Sequence, residues 1–229
     1  MNKAIPNPFP QLGTPNSQSV TIDPIGYELE LKSIISTARN NIGSQSLLFP
    51  IIGRWGQGKS TILKYIENQN FTDCVIDKAE LDEIGDFGAI IEYSYEKNIE
   101  TNLTNQEEKS LILLIDEGQK LVRDVKDILD REDGQSSNKF EMFLEDLRSF
   151  ANGNLLGNGK DSQICIFFGM HPEIYRNIKH YAPDNNQRIW TNVLELHDLN
   201  YYQAYSIVDT FLHSRNMEVD RMFDESIIY

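Results

Sequence analysis

The stretch Ile51-Ile52-Gly53-Arg54-Trp55-Gly56-Gln57-Gly58-Lys59-Ser60-Thr61 contains the pattern G-x-x-x-x-G-K-[ST] between an apolar run and a helical pattern. Glycines at this spacing let the backbone curl so that successive N–H groups point at phosphate oxygens, and the next helix adds its positive N-terminal end. The flanking patterns supply the strand, loop and helix that such a motif requires, which disfavours a chance match in a glycine-rich turn. The sequence therefore predicts a phosphate-binding P-loop at residues 53–60.

The P-loop residue types predict ATP and Mg²⁺ as cofactors. Lys59 is expected to reach the β- and γ-phosphates, and the Ser60 hydroxyl is expected to hold Mg²⁺. We also expect Lys59 to be an exposed loop residue whose replacement leaves the fold intact. The predicted nucleotide-binding residues are Gly53, Trp55, Gly56, Gln57, Gly58, Lys59, Ser60 and Thr61.

A second acidic motif follows a continuous apolar run. Residues 111–115 are typical of a strand buried on both faces, and the run ends in Asp116-Glu117. Asp116 is expected to bind the waters of the Mg²⁺ held by Ser60, and Glu117 is expected to act as the catalytic base for an attacking water. The alternative is an acidic pair that caps the next helix. The pairing favours hydrolysis of a nucleoside triphosphate over phosphoryl transfer to an acceptor.

Alternating apolar runs and helical patterns predict an α/β fold with a doubly wound parallel sheet. Further strands are predicted at 47–52, 74–76, 164–168 and 188–199. Helical patterns cover Leu31 to Ala38, Phe87 to Tyr95, Val122 to Leu129, Phe140 to Phe150 and Tyr201 to Leu212, and another helix opens at His171-Pro172-Glu173. Asp23-Pro24 and Gly43 are expected to bound the first helix, residues 98–110 are expected to be a polar connection, and 153–161 a loop. Ligands of such sheets bind at the carboxyl ends of the strands.

Composition limits the organisation and the partners. The chain has 229 residues and 40% hydrophobic content, enough for one main domain. We predict an extended, proline-rich arm at 1–22, a core at 23–199 and the start of a helical lid at 200–229. The net charge of −14 argues against a chain that coats nucleic acid by itself. No basic leader or apolar span is visible, so we expect a cytoplasmic protein that does not enter a membrane.

Several segments together resemble a family of ATPases. They are Leu114-Ile115-Asp116-Glu117-Gly118-Gln119-Lys120-Leu121, Leu147-Arg148-Ser149-Phe150-Ala151-Asn152, Phe168-Gly169-Met170-His171-Pro172-Glu173-Ile174, Gln187-Arg188-Ile189 and Leu196-His197-Asp198-Leu199. In this order they look like the AAA+ ATPases of the TniB/TnsC-type transposition-regulator and ExeA-type group, which are relatives of the origin-recognition ATPases. The resemblance covers roughly residues 20 to 215.

The resemblance implies an AAA+ core, an αβα sandwich, whose subunits assemble as a homo-oligomer with ATP at their interfaces. It implies that Arg188 acts as an arginine finger toward a neighbouring subunit or braces the lid; the alternative is a surface arginine. It places His171 as a sensor of the γ-phosphate, with a helix cap as the alternative. Ile25 and Tyr27 are implied to pack on the adenine.

The family's lid continues for several helices and supplies a second sensor arginine, and nothing after Arg221 matches it. We therefore expect either a curtailed lid or a fragment, and slow turnover of the isolated chain.

The leading hypothesis is an ATPase that hydrolyses ATP at subunit interfaces to regulate a partner protein or a nucleic-acid assembly of the mobile-element, transposition or phage-defence type. DNA contact through the assembly is left open. The alternatives are a STAND-like nucleotide switch and an ATP-binding accessory scaffold, both with negligible turnover.

Overall fold

The computed structural model describes residues 24–79, 86–105, 109–122, 138–181 and 192–213. They belong to two compact units. The larger unit is Leu29–Leu196, and the smaller one contains the described residues 24–28 and 197–213. The predicted arm at 1–22 lies outside the described residues, so the predicted domain boundaries stay predictions.

One sheet organises the larger unit. Its strands are β1 (Leu47–Ile52), β2 (Cys74–Lys78), β3 (Ser110–Ile115), β4 (Ile164–Met170) and β5 (Leu194–Glu195). Their order is β2-β3-β4-β1-β5, and every neighbouring pair is parallel. Parallel neighbours need a crossover that carries the chain back to the starting edge, and the helices between the strands provide it. The predicted α/β parallel sheet is confirmed.

The α-helices in the described residues are α1 (Glu28–Asn41), α2 (Lys59–Glu67), α3 (Phe87–Asn105), α4 (Asn138–Ala151), α5 (Pro172–Tyr181) and α6 (Tyr201–His213). The described residues also form two short 3₁₀ turns. Gly118–Val122 follows β3, and Lys160–Gln163 precedes β4. In the described part of the chain, no helix is long and apolar enough to cross a membrane.

The central strands β3 and β4 are buried on both faces, as their continuous apolar sequence predicts. On one face, Ile115 joins a buried cluster with Phe87 of α3 and Phe143 of α4. On the other face, Leu63 of α2 lies close to the backbone of Gly169, since a β-carbon built there would be 3.6 Å from its Cδ1. The helix layers on both faces position the start of α2 beside the carboxyl end of the sheet.

The predicted polar connection at 98–110 is wrong in its first half, because α3 continues to Asn105. The side chains of Asn98 and Asn102, one turn apart, each donate a hydrogen bond of 2.9 Å to the carbonyl of Lys109. This contact ties the polar end of the helix to the beginning of β3. A pattern based on apolar residues alone could not find it.

Other boundaries also differ from the predictions. The first helix begins at Glu28, several residues after Asp23-Pro24, and the turn before it contains Gly26 with a positive φ of 88°. Of the strand predicted at 188–199, only Leu194–Glu195 pairs with β1 among the described residues. The helix predicted from Val122 to Leu129 lies almost wholly outside the described residues, and the part that the structure describes is a 3₁₀ turn.

The smaller unit contains α6 and the turn before α1. Asn200 and Gln203 cap the start of α6 reciprocally, each accepting the backbone N–H of the other at 3.0 and 2.9 Å. In the same unit, the Tyr27 hydroxyl donates to the His197 carbonyl at 3.1 Å. The segment before α1 is therefore anchored to the segment before α6.

Candidate functional site

The P-loop connects β1 to α2 in a conformation that depends on glycine. Gly56 and Gly58 have φ angles of 80° and 91°, a left-handed region that other residues rarely adopt. Gly58 is the N-cap of α2 and provides no side-chain cap, and the first turn of the helix has no acidic residue. The first N–H groups of α2 thus have no acceptor within the helix or on its cap. They form a site that favours an anion.

Hydrogen bonds within the P-loop hold its curvature. The Arg54 N–H donates to Gln57 Oε1 at 2.6 Å, and the Gln57 N–H donates back to the Arg54 carbonyl at 3.3 Å. The Gly53 N–H donates to the Met170 carbonyl at 3.1 Å, which fixes the beginning of the loop to β4. Gln57 is therefore a structural member of the loop as well as a predicted binding residue.

Lys59 is buried, with 9% of its surface exposed, so the expectation of an exposed loop lysine is wrong. Its Nζ donates to the carbonyls of Gly53 and Arg54 at 2.8 and 2.9 Å. Burial lowers the pKa of Lys59, while the carboxylates of Asp116 and Glu117 act in the opposite direction. The Lys59 ammonium is therefore hydrogen-bonded to the same loop that the sequence predicts to bind phosphate.

Ser60 and Asp116 meet although 56 positions separate them. The Ser60 hydroxyl donates to Asp116 Oδ2 at 2.6 Å, and Asp116 Oδ1 accepts the Glu117 N–H at 2.9 Å. Ser60 lies in the first turn of α2, and Asp116 directly follows β3, so the fold brings both to the carboxyl edge of the sheet.

The oxygen ligands at this point suit Mg²⁺. A hydroxyl and a carboxylate are hard donors, and Mg²⁺ in nucleotide sites is held by one or two protein oxygens together with phosphates and waters. Within the described residues, no group of three or more histidine, cysteine, aspartate or glutamate side chains could hold a metal by itself. Ser60 and Asp116 therefore fit a cation that arrives with a phosphate ligand.

Glu117 follows Asp116 in a left-handed conformation with a φ of 52°, which is uncommon for a residue with a side chain. Its carboxylate forms an ion pair with Lys120, Oε2 to Nζ, at 3.0 Å. The motif that predicts Glu117 as a base does not contain this contact, and the spacing of three residues within a turn is the only signal of it in these residues. The predicted base is thus held by a cation of its own turn.

The turn after Glu117 is packed tightly against the sheet. A β-carbon added at Gly118 would overlap the ring of Phe168 in β4. Phe168 is fully buried and makes an edge contact with the Phe87 ring at 5.9 Å. A side chain at position 118 would push the acidic turn away from the sheet, and the glycine keeps it close.

The remaining predicted site residues are distributed differently. His171 follows β4 and caps α5, with its Nδ1 accepting the Glu173 N–H at 3.3 Å. The geometry therefore includes the helix-cap interaction that was the alternative for His171. Ile25 and Tyr27 belong to the smaller unit, and Arg188 lies outside the described residues. The larger unit brings together the P-loop, Lys59, Ser60, Asp116 and Glu117.

Comparisons with known proteins give a match in fold only. No protein-family model matches the sequence, and a search of curated proteins finds no match. Among solved structures, Cdc6p from Pyrobaculum aerophilum is similar with a TM-score of 0.52 and 15% identity, over 84% of this chain and 51% of that chain. The Orc1 protein of Aeropyrum pernix, in complex with DNA, has a TM-score of 0.50 and 12% identity, over 85% and 51%.

This chain spans about half the length of those two proteins. At such low identities the similarity shows the fold alone. The sheet order, the P-loop after β1 and the acidic end of β3 agree with it. The chain has the fold of the AAA+ P-loop ATPases, a five-stranded parallel sheet with helices on its faces.

Proposed function

We propose that the protein is a cytoplasmic AAA+ ATPase that binds ATP with Mg²⁺ and hydrolyses it at subunit interfaces to regulate a partner protein or a nucleic-acid assembly. The observation that carries the proposal is the 2.6 Å hydrogen bond between Ser60 and Asp116. It joins the helix after the P-loop to the acidic end of β3, and these are the two parts that a nucleotide hydrolase must bring together.

In this proposal the P-loop binds the triphosphate. The N–H groups of residues 55–61 surround the phosphate oxygens, with Gly56 and Gly58 supplying the curvature. Lys59 exchanges its two loop carbonyls for phosphate oxygens, so that its buried charge gains a stronger, ionised acceptor. Ser60 and Asp116 would hold Mg²⁺, whose charge offsets the negative charge that develops on the transferred phosphoryl group.

Glu117 is the proposed base. Its carboxylate follows Asp116 directly and can accept a proton from a water aimed at the γ-phosphate. The ion pair with Lys120 restrains this carboxylate, so proton transfer requires Glu117 to share or release that contact. The same ion pair favours the second candidate function, a STAND-like nucleotide switch or an ATP-binding scaffold with negligible turnover.

The base is tested by Glu117→Gln, measured for ATP binding and for phosphate release with and without DNA. We expect retained binding and a turnover loss of about 10²- to 10⁴-fold, because the amide keeps the shape and cannot accept a proton. Glu30→Gln, which removes an exposed carboxylate of α1, is the matched control and should not change turnover.

Two outcomes would decide against hydrolysis by this residue. Native turnover in Glu117→Gln would leave Glu117 as a structural residue of the turn. ATP binding by the native chain without turnover, in the presence and absence of DNA, would favour the switch or the scaffold.

The finer roles rest on sequence motifs. We propose that Arg188 acts on the nucleotide of a neighbouring subunit, that His171 senses the γ-phosphate in addition to capping α5, and that Ile25 and Tyr27 contact the adenine. The assignment to the mobile-element, transposition or phage-defence type also rests on the motif order. With a net charge of −14, DNA contact would need a local basic surface of the assembly.

Subunit mixing tests the role of Arg188. An arginine finger supplied in trans raises turnover by about 10³- to 10⁵-fold in well-studied nucleotidases. Arg188→Ala and Lys59→Ala should each be inactive alone. Their mixture should recover part of the activity, because one composite interface retains both groups. A mixture as inactive as its components, or a specific rate independent of protein concentration, would place Arg188 within its own subunit.

A further inference from the structure

A cavity of about 320 Å³ lies between α3 and the loop at residues 153–161, away from the proposed nucleotide site. We call these nine residues the Asp161 loop. The volume is at the lower end of the range of about 300–1,000 Å³ for ligand pockets. The cavity is large enough for side chains of a partner and plays no part in the function proposed above.

The helical wall of the cavity has an acidic end and an apolar end. Glu92, Glu96 and Ile99 recur on one face of α3 and line the cavity. Leu103 continues the same face one turn further and is 74% exposed. A large leucine side chain in water next to a cavity is an apolar surface that a partner can cover.

The Asp161 loop supplies the opposite wall through Leu155 and Leu156. The side chain of Asp161 is fully buried and holds the loop by a hydrogen bond to its backbone. Its Oδ2 accepts the Leu156 N–H at 3.2 Å. The cavity is therefore lined on both sides by residues that the fold holds in place.

The charged side chains that line the cavity are those of Glu92, Glu96 and Lys160. Glu92 and Glu96 are exposed, and in the part of the chain that the structure describes neither forms an ion pair. The ammonium of Lys160 lies 5.6 Å from the centroid of the Tyr95 ring, so one cation of the chain itself already contacts the aromatic wall. Two glutamates and one lysine leave the lining of the cavity with a net negative charge, which favours a basic partner over an acidic one.

We propose that this cavity and the adjoining Leu103 surface dock a segment of a partner protein that carries basic side chains followed by apolar ones, as on one face of an amphipathic helix. The basic side chains pair with Glu92 and Glu96, and the apolar ones cover Ile99, Leu103 and the leucines of the Asp161 loop. Along one face of α3, the two carboxylates precede the two apolar residues. A partner helix would therefore need its basic side chains at one end and its apolar side chains at the other.

The test titrates the full-length, isotope-labelled chain with an alanine-based helical peptide that has two arginines one turn apart, followed by two leucines one turn apart. Amide chemical shifts should change at 92–103 and at 155–160. The combined Glu92→Gln and Glu96→Gln variant should bind about three- to tenfold more weakly, because it loses two partly exposed ion pairs. Leu103→Ser should also weaken binding, without cost to the fold, because the side chain is mostly in water.

Matched controls separate the site from general charge attraction. The combined Glu30→Gln and Glu195→Gln variant removes the same charge from exposed positions outside α3 and the cavity, and it should bind like the native chain. A peptide with glutamates in place of the arginines should not bind. The proposal is overturned if the cavity amides do not shift, if both double variants lose affinity equally, or if putrescine alone binds there as tightly as the peptide.

Discussion

The P-loop and the Asp161 loop share a backbone geometry but differ in the side chain that follows it. Each is rich in glycine and ends in a helical turn whose N-cap is a left-handed glycine without a side-chain cap, Gly58 with a φ of 91° and Gly159 with a φ of 76°. In the Asp161 loop, the first turn contains a buried carboxylate that accepts backbone N–H groups. In the P-loop, the first turn contains a lysine and no acid.

The difference shows how one loop geometry becomes either structural or functional. A loop that curls its N–H groups inward must satisfy them, since unpaired donors are costly when buried. In the Asp161 loop, the Asp161 carboxylate accepts such an N–H group, so the loop supplies its own acceptor. In the P-loop, the first N–H groups of α2 have no acceptor on the cap, and the Lys59 ammonium binds two loop carbonyls that an incoming anion can replace. The first residues of the following helix decide between the two outcomes.

The largest expected contrast is in ATP affinity. Lys59→Ala should weaken ATP binding by about 100-fold or more, because it removes a charge-assisted contact to the phosphates. Asp161→Ala should change the affinity by less than about twofold, because a substitution remote from the binding contacts has an effect near zero. Calorimetric titration of both variants measures the contrast. Similar losses in the two variants would show that the loops do not have separate roles.

Stability should show the reverse order. Asp161→Ala should lower the free energy of unfolding by about 1–3 kcal/mol, because it leaves buried N–H groups without an acceptor. Lys59→Ala should cost less than about 1 kcal/mol in the absence of nucleotide, since desolvation of the ammonium offsets its two hydrogen bonds. Urea unfolding of the nucleotide-free variants compares them. A larger loss in Lys59→Ala would mean that its contacts to the P-loop carbonyls hold the fold together.

The smallest expected effect is a pH dependence of the Asp161 loop. Burial raises the pKa of Asp161 above its ordinary value of 3.8, against the opposing effect of the N–H groups that it accepts. The native state therefore binds this proton more tightly than the unfolded chain. The corresponding stability is present below pH 3.8 and is lost as the pH rises through the raised value.

The comparison with Asp161→Asn isolates this effect, because the other carboxyl groups are common to both proteins. The free energy of unfolding of the native chain, minus that of the variant, should decrease as the pH rises from the acidic range toward neutrality. A difference that is constant with pH, or that increases, would contradict the raised pKa.

The sequence predicted the parts of the fold and site that depend on local patterns. The P-loop motif identified the connection between β1 and α2, and the apolar run before Asp116 identified β3. Together they placed Ser60 and Asp116 at the same edge of the sheet, where they form a hydrogen bond. These inferences of position succeeded because apolar runs mark the strands, and a parallel sheet brings the carboxyl ends of its strands to one edge.

The missed features depend on polar contacts within short segments that fold back on themselves, between residues 5 to 11 positions apart. Asp161 was predicted as part of a loop, and its burial follows from the way this loop folds over its own carboxylate. Lys59 was expected to be exposed, and its burial follows from the curvature that brings the Gly53 carbonyl to its Nζ. The end of α3 was predicted as a connection, because Asn98 and Asn102 contribute through side-chain hydrogen bonds that an apolar pattern does not contain.

The contact between Gly118 and Phe168 restricts how the acidic turn can evolve. Alanine at position 118 alone would collide with the ring, and a smaller residue at position 168 alone would leave a cavity in the core. Each single change is therefore costly, whereas the pair could be accommodated. Natural variation at these two positions should be epistatic, so that the residue after Glu117 changes only together with its partner in β4.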